Sequence, residues 1–197
     1  MTNGAAYQVI QGAGRMYTST FSLTAANEPG LTAINSVPQS SAWTYTGFTS
    51  DGITVTIAQA FSEMRVDQLA DRVGTKMVTR ELTLKANLAE ATLENFTLGL
   101  NSGTITTAAG PAAYKQYEPV YDGTELQPTY IAVLFDGYAP ANSAGVVKRR
   151  RILIRKAIST ENVELAYKKD ALTLVPVTFT SHYISDTVAP FRFVDES

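Results

Sequence analysis

No cysteine occurs among the 197 residues, and histidine occurs once. The first absence excludes disulfide scaffolds, thiolate zinc sites, iron–sulfur clusters and cysteine nucleophiles. The second excludes any site built on two imidazoles. Charge is also sparse: 17% of residues are charged, with 16 bases against 18 acids. A balance so close to neutral gives no global pull toward nucleic acid. No apolar run approaches the ~20 residues of a membrane helix, so no membrane partner is expected. The first twenty residues lack a basic head and an apolar core and do not read as a signal peptide.

What the chain does contain favours strands. Threonine occurs 25 times, valine 15 and tyrosine 10. Such β-branched and aromatic residues suit a pleated, half-buried surface. With 45% hydrophobic residues, a chain of this length supports one cored domain over residues 1–197. Its weakly charged surface suits a subunit whose faces are covered by copies of itself. Apolar and polar residues alternate at Ile53, Val55 and Ile57, at Ile152 and Ile154, at Val163, Leu165 and Tyr167, and from Thr173 to Phe179. Period two predicts strands with one face buried. Pro176 lacks a ladder donor and places its strand at an edge or a bulge. Residues 129–138 (TYIAVLFDGY) are nearly all apolar and predict a central strand covered on both sides.

One segment changes period. Residues 87–100 (NLAEATLENFTLGL) predict a helix with Ala89, Leu93, Phe96 and Leu100 on its packing stripe. Asn87 is its expected cap, Glu90 the reciprocal partner and Gly103 the stop. The order strands, helix, strands predicts a mainly β (α+β) domain, a β-sandwich or curled β-barrel flanked by that helix. Long loops are expected at residues 25–42 and 101–128, and arms at about 1–15 and 185–197. Ordering a loop residue costs about 1–2 kcal/mol. Such loops therefore await contacts with another molecule, and Tyr114, Tyr117 and Tyr121 mark the second loop as an inter-subunit candidate.

Motifs for chemistry are weak. Gly12-Ala13-Gly14 lacks the third glycine of a dinucleotide fingerprint and reads as a turn or arm. Ser181 and His182 are adjacent on a predicted strand, so they point to opposite faces. The acids Glu63, Asp67 and Asp71 have no spacing that sets them apart from a solvated face. Asn95-Phe96-Thr97 matches a glycosylation sequon but falls within the predicted helix. No catalytic residue, cofactor or metal is expected.

One charge feature is sharp. Residues 148–156 (KRRRILIRK) hold six of the 16 bases and no acid, which leaves ten bases against 18 acids elsewhere. A basic run can bind phosphates, but a strand divides its charges between two faces, and no aromatics are interleaved for base stacking. Lys148, Arg149, Arg150, Arg151 and Arg155 are therefore expected to meet an acidic strip on a neighbouring subunit.

Several segments in order carry a resemblance: WTYTGFTSDGITVTI at 43–57, EMRVDQ at 63–68, VTRELTLKANLAEATLENFTLGLN at 78–101 and VTFTSHYISDTVAPFRFVDE at 177–196. Together they resemble the major tail proteins of long-tailed bacteriophages, of the non-contractile type. The resemblance implies a non-catalytic virion subunit whose hexameric rings stack into a hollow tail tube. It further implies a tape-measure protein in the bore, tail-terminator and tail-tip or baseplate proteins at the ends, and DNA passing through without specific binding. Assembly would take place in the host cytoplasm. Curled sheets from six copies can join edge to edge and so remove their exposed edges. A conduit for DNA is expected to have a neutral or acidic wall, because fixed cations hold phosphates. The alternative reading is a non-catalytic β-sandwich adhesion or carbohydrate-binding module.

Overall fold

The computed structural model describes residues 8–10, 12–21, 34, 36–38, 42–110, 113–120 and 128–197. Among these, the elements in chain order are β1 (Arg15–Thr20), β2 (Thr44–Tyr45), β3 (Thr49–Met64), β4 (Gly74–Leu88), α1 (Leu93–Leu100), β5 (Thr104–Ala108), β6 (Tyr114–Glu118), β7 (Ile131–Ala139), β8 (Lys148–Ser159), β9 (Val175–Ser181) and β10 (Phe191–Asp195). The protein is mainly β with one flanking helix, and its strand pairs are antiparallel. The main sheet runs β2-β1-β7-β8-β9-β4-β3, with β10 also beside β8, and β5–β6 is a separate hairpin. It does not close into a barrel. Strands β2 and β3 lie at its two ends and do not pair with each other.

The alternation of side chains gives each face its own cluster. Met16, Val133, Ile152 and Ile154 from β1, β7 and β8 join Leu82, Leu84, Ala86, Leu88, Val175, Val177 and Phe179 from β4 and β9 in the main core. On the opposite face Tyr17, Ala132, Leu134 and Leu153 pack under Trp43. Strand β7 is thus covered on both sides, as its apolar run predicts. Burying each large side chain contributes roughly 1.5–3 kcal/mol. Strand β8 is shared between two neighbours on its second edge. Its residues 150–154 pair with β10, and its residues 157–159 pair with β9. Pro176 pairs with Asn87 of β4 at a level where β8 does not reach, so the missing N–H falls on a free edge.

Four features differ from expectation. The helix begins at Leu93, not at residue 87, because the β4 ladder continues through Leu88 to Thr49 and Val175. Its cap is Thr92, whose hydroxyl accepts from Asn95 N, and Asn101 ends it in the left-handed conformation (φ 58°). Glu90 instead accepts a hydrogen bond from Phe48 N at 3.1 Å. The packing stripe moves accordingly. Asn95 and Gly99 are the buried helical positions, and Leu98 packs on the core, while Leu93, Phe96 and Leu100 are half-buried and Ala89 lies outside the helix.

The 101–128 segment contains the β5–β6 hairpin, so it is not a structureless loop; the Thr-rich β5 and the Tyr-containing β6 lie between glycine and proline breaks. Residues 163–168 form no strand, although Val163 and Leu165 do pack on the core. The C-terminal arm is a docked strand. Phe191 to Asp195 register against Ile154 to Arg150. The expected 25–42 loop lies outside the described residues except for residues 34, 36–38 and 42, and Tyr121 lies outside them as well.

Candidate assembly site

The basic run is β8 itself, and its bases meet partners within the same chain. Asp136 on β7 takes Arg151 Nε on Oδ1 and Arg149 Nη1 on Oδ2, each at 3.3 Å. Arg151 and Asp136 are both almost fully buried, and Arg151 also donates to the carbonyl of Ser36. On the other face Arg150 holds Asp195 of β10 through two 2.6 Å bonds. This pairing lowers the Asp195 pKa and raises that of Arg150. Lys148 lies 3.6 Å from Glu196, whose other oxygen accepts Arg149 N at 3.0 Å. Arg155 donates to the carbonyl of Ala189. The Lys156 ammonium stands 4.3 Å from the Tyr130 ring centre.

Acids of this chain already pair with four of these bases, two of them because β10 returns antiparallel beside β8. Asp136, Asp195 and Glu196 are the residues that sequence reasoning missed. One signal was present: a lone acid in the apolar run of β7 needs a buried partner.

The tyrosines of the second candidate segment separate. Tyr117 packs edge to face on Phe96 at 6.2 Å and donates to Ser102 O at 2.8 Å, so it is structural. Tyr114 is exposed. The hairpin is also tied to the helix by an ion pair between Lys115 and Glu94, which lowers the Glu94 pKa.

The most exposed feature is the far part of the β3–β4 hairpin. Strand β9 covers β4 only over residues 83–88. Beyond that, residues 56–73 and 75–81 are all exposed, although β3 and β4 stay paired down to Met64 and Gly74. This arm carries Ile57, Phe61, Met64, Val66, Leu69, Val73, Met77 and Val78 in the open. Register explains part of the pattern. Ile53, Val55, Ile57 and Phe61 lie on the face whose β4 residues Leu82, Leu84 and Ala86 enter the core. The core stripe thus runs on past the strands that cover it. At the end, Val73 N closes the tip on Met64 O at 3.0 Å.

The weak chemical motifs resolve into structure. A Cβ on Gly12 would stand 2.4 Å from the Tyr138 ring, and one on Gly14 2.0 Å from the Phe135 ring. The glycine pair lets the chain lie flat on two aromatic rings. Ser181 Oγ accepts from Leu82 N at 3.0 Å, and His182 Nδ1 lies 3.0 Å from Thr180 O, so the two side chains do not pair. Glu63 is held by Arg65 and Arg72. Asn95 is buried and donates to Thr46 O at 2.8 Å and Glu90 O at 2.9 Å, so its amide is engaged by the backbone. Among the described residues, no group of three or more His, Asp or Glu side chains could hold a metal ion. No helix among them is long and apolar enough to cross a membrane. Comparison of the chain with protein-family models and with curated proteins finds no match.

Proposed function

We propose that the chain is a structural subunit of a phage tail tube, in which hexameric rings of copies stack into a hollow conduit around a tape-measure protein. The observation that carries this reading is the β3–β4 arm. A paired hairpin that leaves its own sheet with both faces bare, and with Ile57 and Phe61 exposed on one of them, gains little from its own fold. Apolar patches of this kind mark protein contacts. Among the described residues the outer edge of β3 pairs with no other strand, and such an edge is a template for one. Contacts of that sort between unlike surfaces of identical copies close into rings or run on as filaments.

The partial in-chain pairing of β8 supports the reading from a second side. A wall carrying six uncompensated cations would retain DNA by counterion release, whereas ion pairs with Asp136, Asp195 and Glu196 reduce that grip. Terminator and tail-tip proteins would cap the tube, and the virion tail is the site of action.

The test is assembly of the purified chain. Sedimentation velocity across a concentration series, with negative-stain micrographs, is expected to give hexamers and hollow tubes. A chain that stays monomeric at every concentration and binds glycans on an array supports the adhesion or carbohydrate-binding module instead.

A further inference from the structure

The arm tip and a basic cleft complement each other, and this inference rests on the self-assembly reading above. Arg15, Asp136 and Arg151 form one rung across β1, β7 and β8, and Tyr138 pairs with Arg149 two residues further along. Ala13, Arg15, Asp136, Gly137, Tyr138 and Arg149 line a cleft of about 80 Å³. Its charge does not balance. Arg149 and Arg151 share the single carboxylate of Asp136, and Arg15 stands opposite it on β1 without an ion pair to it, while Asp195 is taken by Arg150 and Glu196 faces Lys148. The cleft therefore keeps a positive surplus at Arg15 and Arg149, both of which reach solvent.

The tip carries the opposite charge without a partner. Asp67 and Asp71 flank exposed Leu69, and among the described residues neither carboxylate pairs with a base or accepts a hydrogen bond. Nearby Arg65 and Arg72 are held by Glu63.

The two features also stand at one level of the sheet. Strands β4 and β8 are parallel, with β9 between them. Thr83 lies opposite Thr180, and Thr180 opposite Ile158. The same count of residues back along each strand reaches Gly74 on β4 and Arg149 on β8, so the tip begins level with the cleft. The arm belongs to one end of the strand order and the cleft to the other. A second copy set alongside in the same orientation brings its arm to the first copy's cleft.

We propose that the Asp67–Asp71 tip of one copy docks in the Arg15–Arg149 cleft of the next, with Leu69 covering the apolar wall beside Tyr138. The contact is heterologous, so each copy gives one arm and receives one.

The experiment reverses charges in the full chain and follows assembly by sedimentation velocity. Arg15→Glu alone, and Asp67→Lys with Asp71→Lys, are each expected to raise the concentration needed for assembly about tenfold or more. Combining all three changes is expected to restore it toward the wild-type value. Arg149 is left in place because it pairs with Asp136. Asp67 and Asp71 pair with no base among the described residues, so the tip variant tests the contact even if Arg15→Glu lowers the melting temperature. Reversals that assemble like wild type, or a combination no better than its parts, overturn the docking while leaving self-assembly intact. A wild-type chain that never assembles overturns both.

Discussion

Asp136 on β7 and Arg151 on β8 stand directly opposite each other, both almost fully buried, with Nε 3.3 Å from Oδ1. A buried pair adds little net stability, since desolvation offsets the attraction, but removing one partner strands the other charge. Asp136→Ala is therefore expected to cost about 3–5 kcal/mol in urea unfolding at neutral pH. Replacing both residues by apolar side chains of similar volume, Asp136→Leu with Arg151→Met, is expected to recover most of that loss. A single variant that loses under ~1 kcal/mol would show that water reaches the pair.

Acid is expected to loosen the C-terminal strand. Asp195, Glu94 and Glu161 are held below the ordinary carboxylate range by hydrogen bonds from Arg150, Lys115 and Lys85. A lowered folded-state pKa gives stability that is complete above the unfolded values of ~3.9–4.3. It is lost as pH falls through that range toward the lowered values. The melting temperature should therefore decline below about pH 5, and Asp195→Asn should make the decline shallower. At pH 7 that variant should cost no more than ~1 kcal/mol, because the pair is partly exposed. An acid slope identical to wild type would remove Asp195 from the account.

The sequence makes the sheet legible and hides its ends. Period-two alternation locates β3, β8 and β9, and the apolar run at β7 reads correctly as doubly covered, because burial imposes the same period on side chains as on backbone. Residues 87–92 mislead because Ala89 and Leu93 keep helical spacing while the β4 ladder decides the conformation. Val163 and Leu165 alternate and are half-buried, yet among the described residues no strand pairs with them. The candidate site is less legible than the fold. Six bases among nine residues announce a partner but not its address, and Asp195 lies far along the chain from Arg150. Only the antiparallel return of β10 brings the two together.

Asn95 is a polar residue at one of the two buried positions of the helix. Its two amide protons satisfy Thr46 O, beside β2, and Glu90 O, just before the helix. Asn95→Ala leaves those carbonyls without their donor and is expected to cost about 1–3 kcal/mol. Asn95→Asp replaces the donor with an acceptor facing the same carbonyls and should cost more. Equal losses for the two variants, measured by thermal unfolding, would mean that cavity formation dominates.

At Gly99 the helix lies against Val163 with no room for a side chain. A Cβ there would stand 2.3 Å from Val163 Cγ2, closer than real side chains come. Alanine is the better helix former by ~1 kcal/mol, so propensity alone predicts that Gly99→Ala stabilises. Packing predicts the reverse. Val163 is branched at Cβ and packs on the core, so it has few rotamers into which to retreat. Overpacking of this kind costs about 1–3 kcal/mol, which exceeds the propensity gain over most of its range. Gly99→Ala is therefore expected to lower the melting temperature. Pairing it with Val163→Ala removes the clashing methyls, and the double variant should then be more stable than Val163→Ala alone, by an amount close to the helix propensity difference. A stabilising Gly99→Ala in the wild-type background would mean that the helix shifts away from residue 163 at little cost.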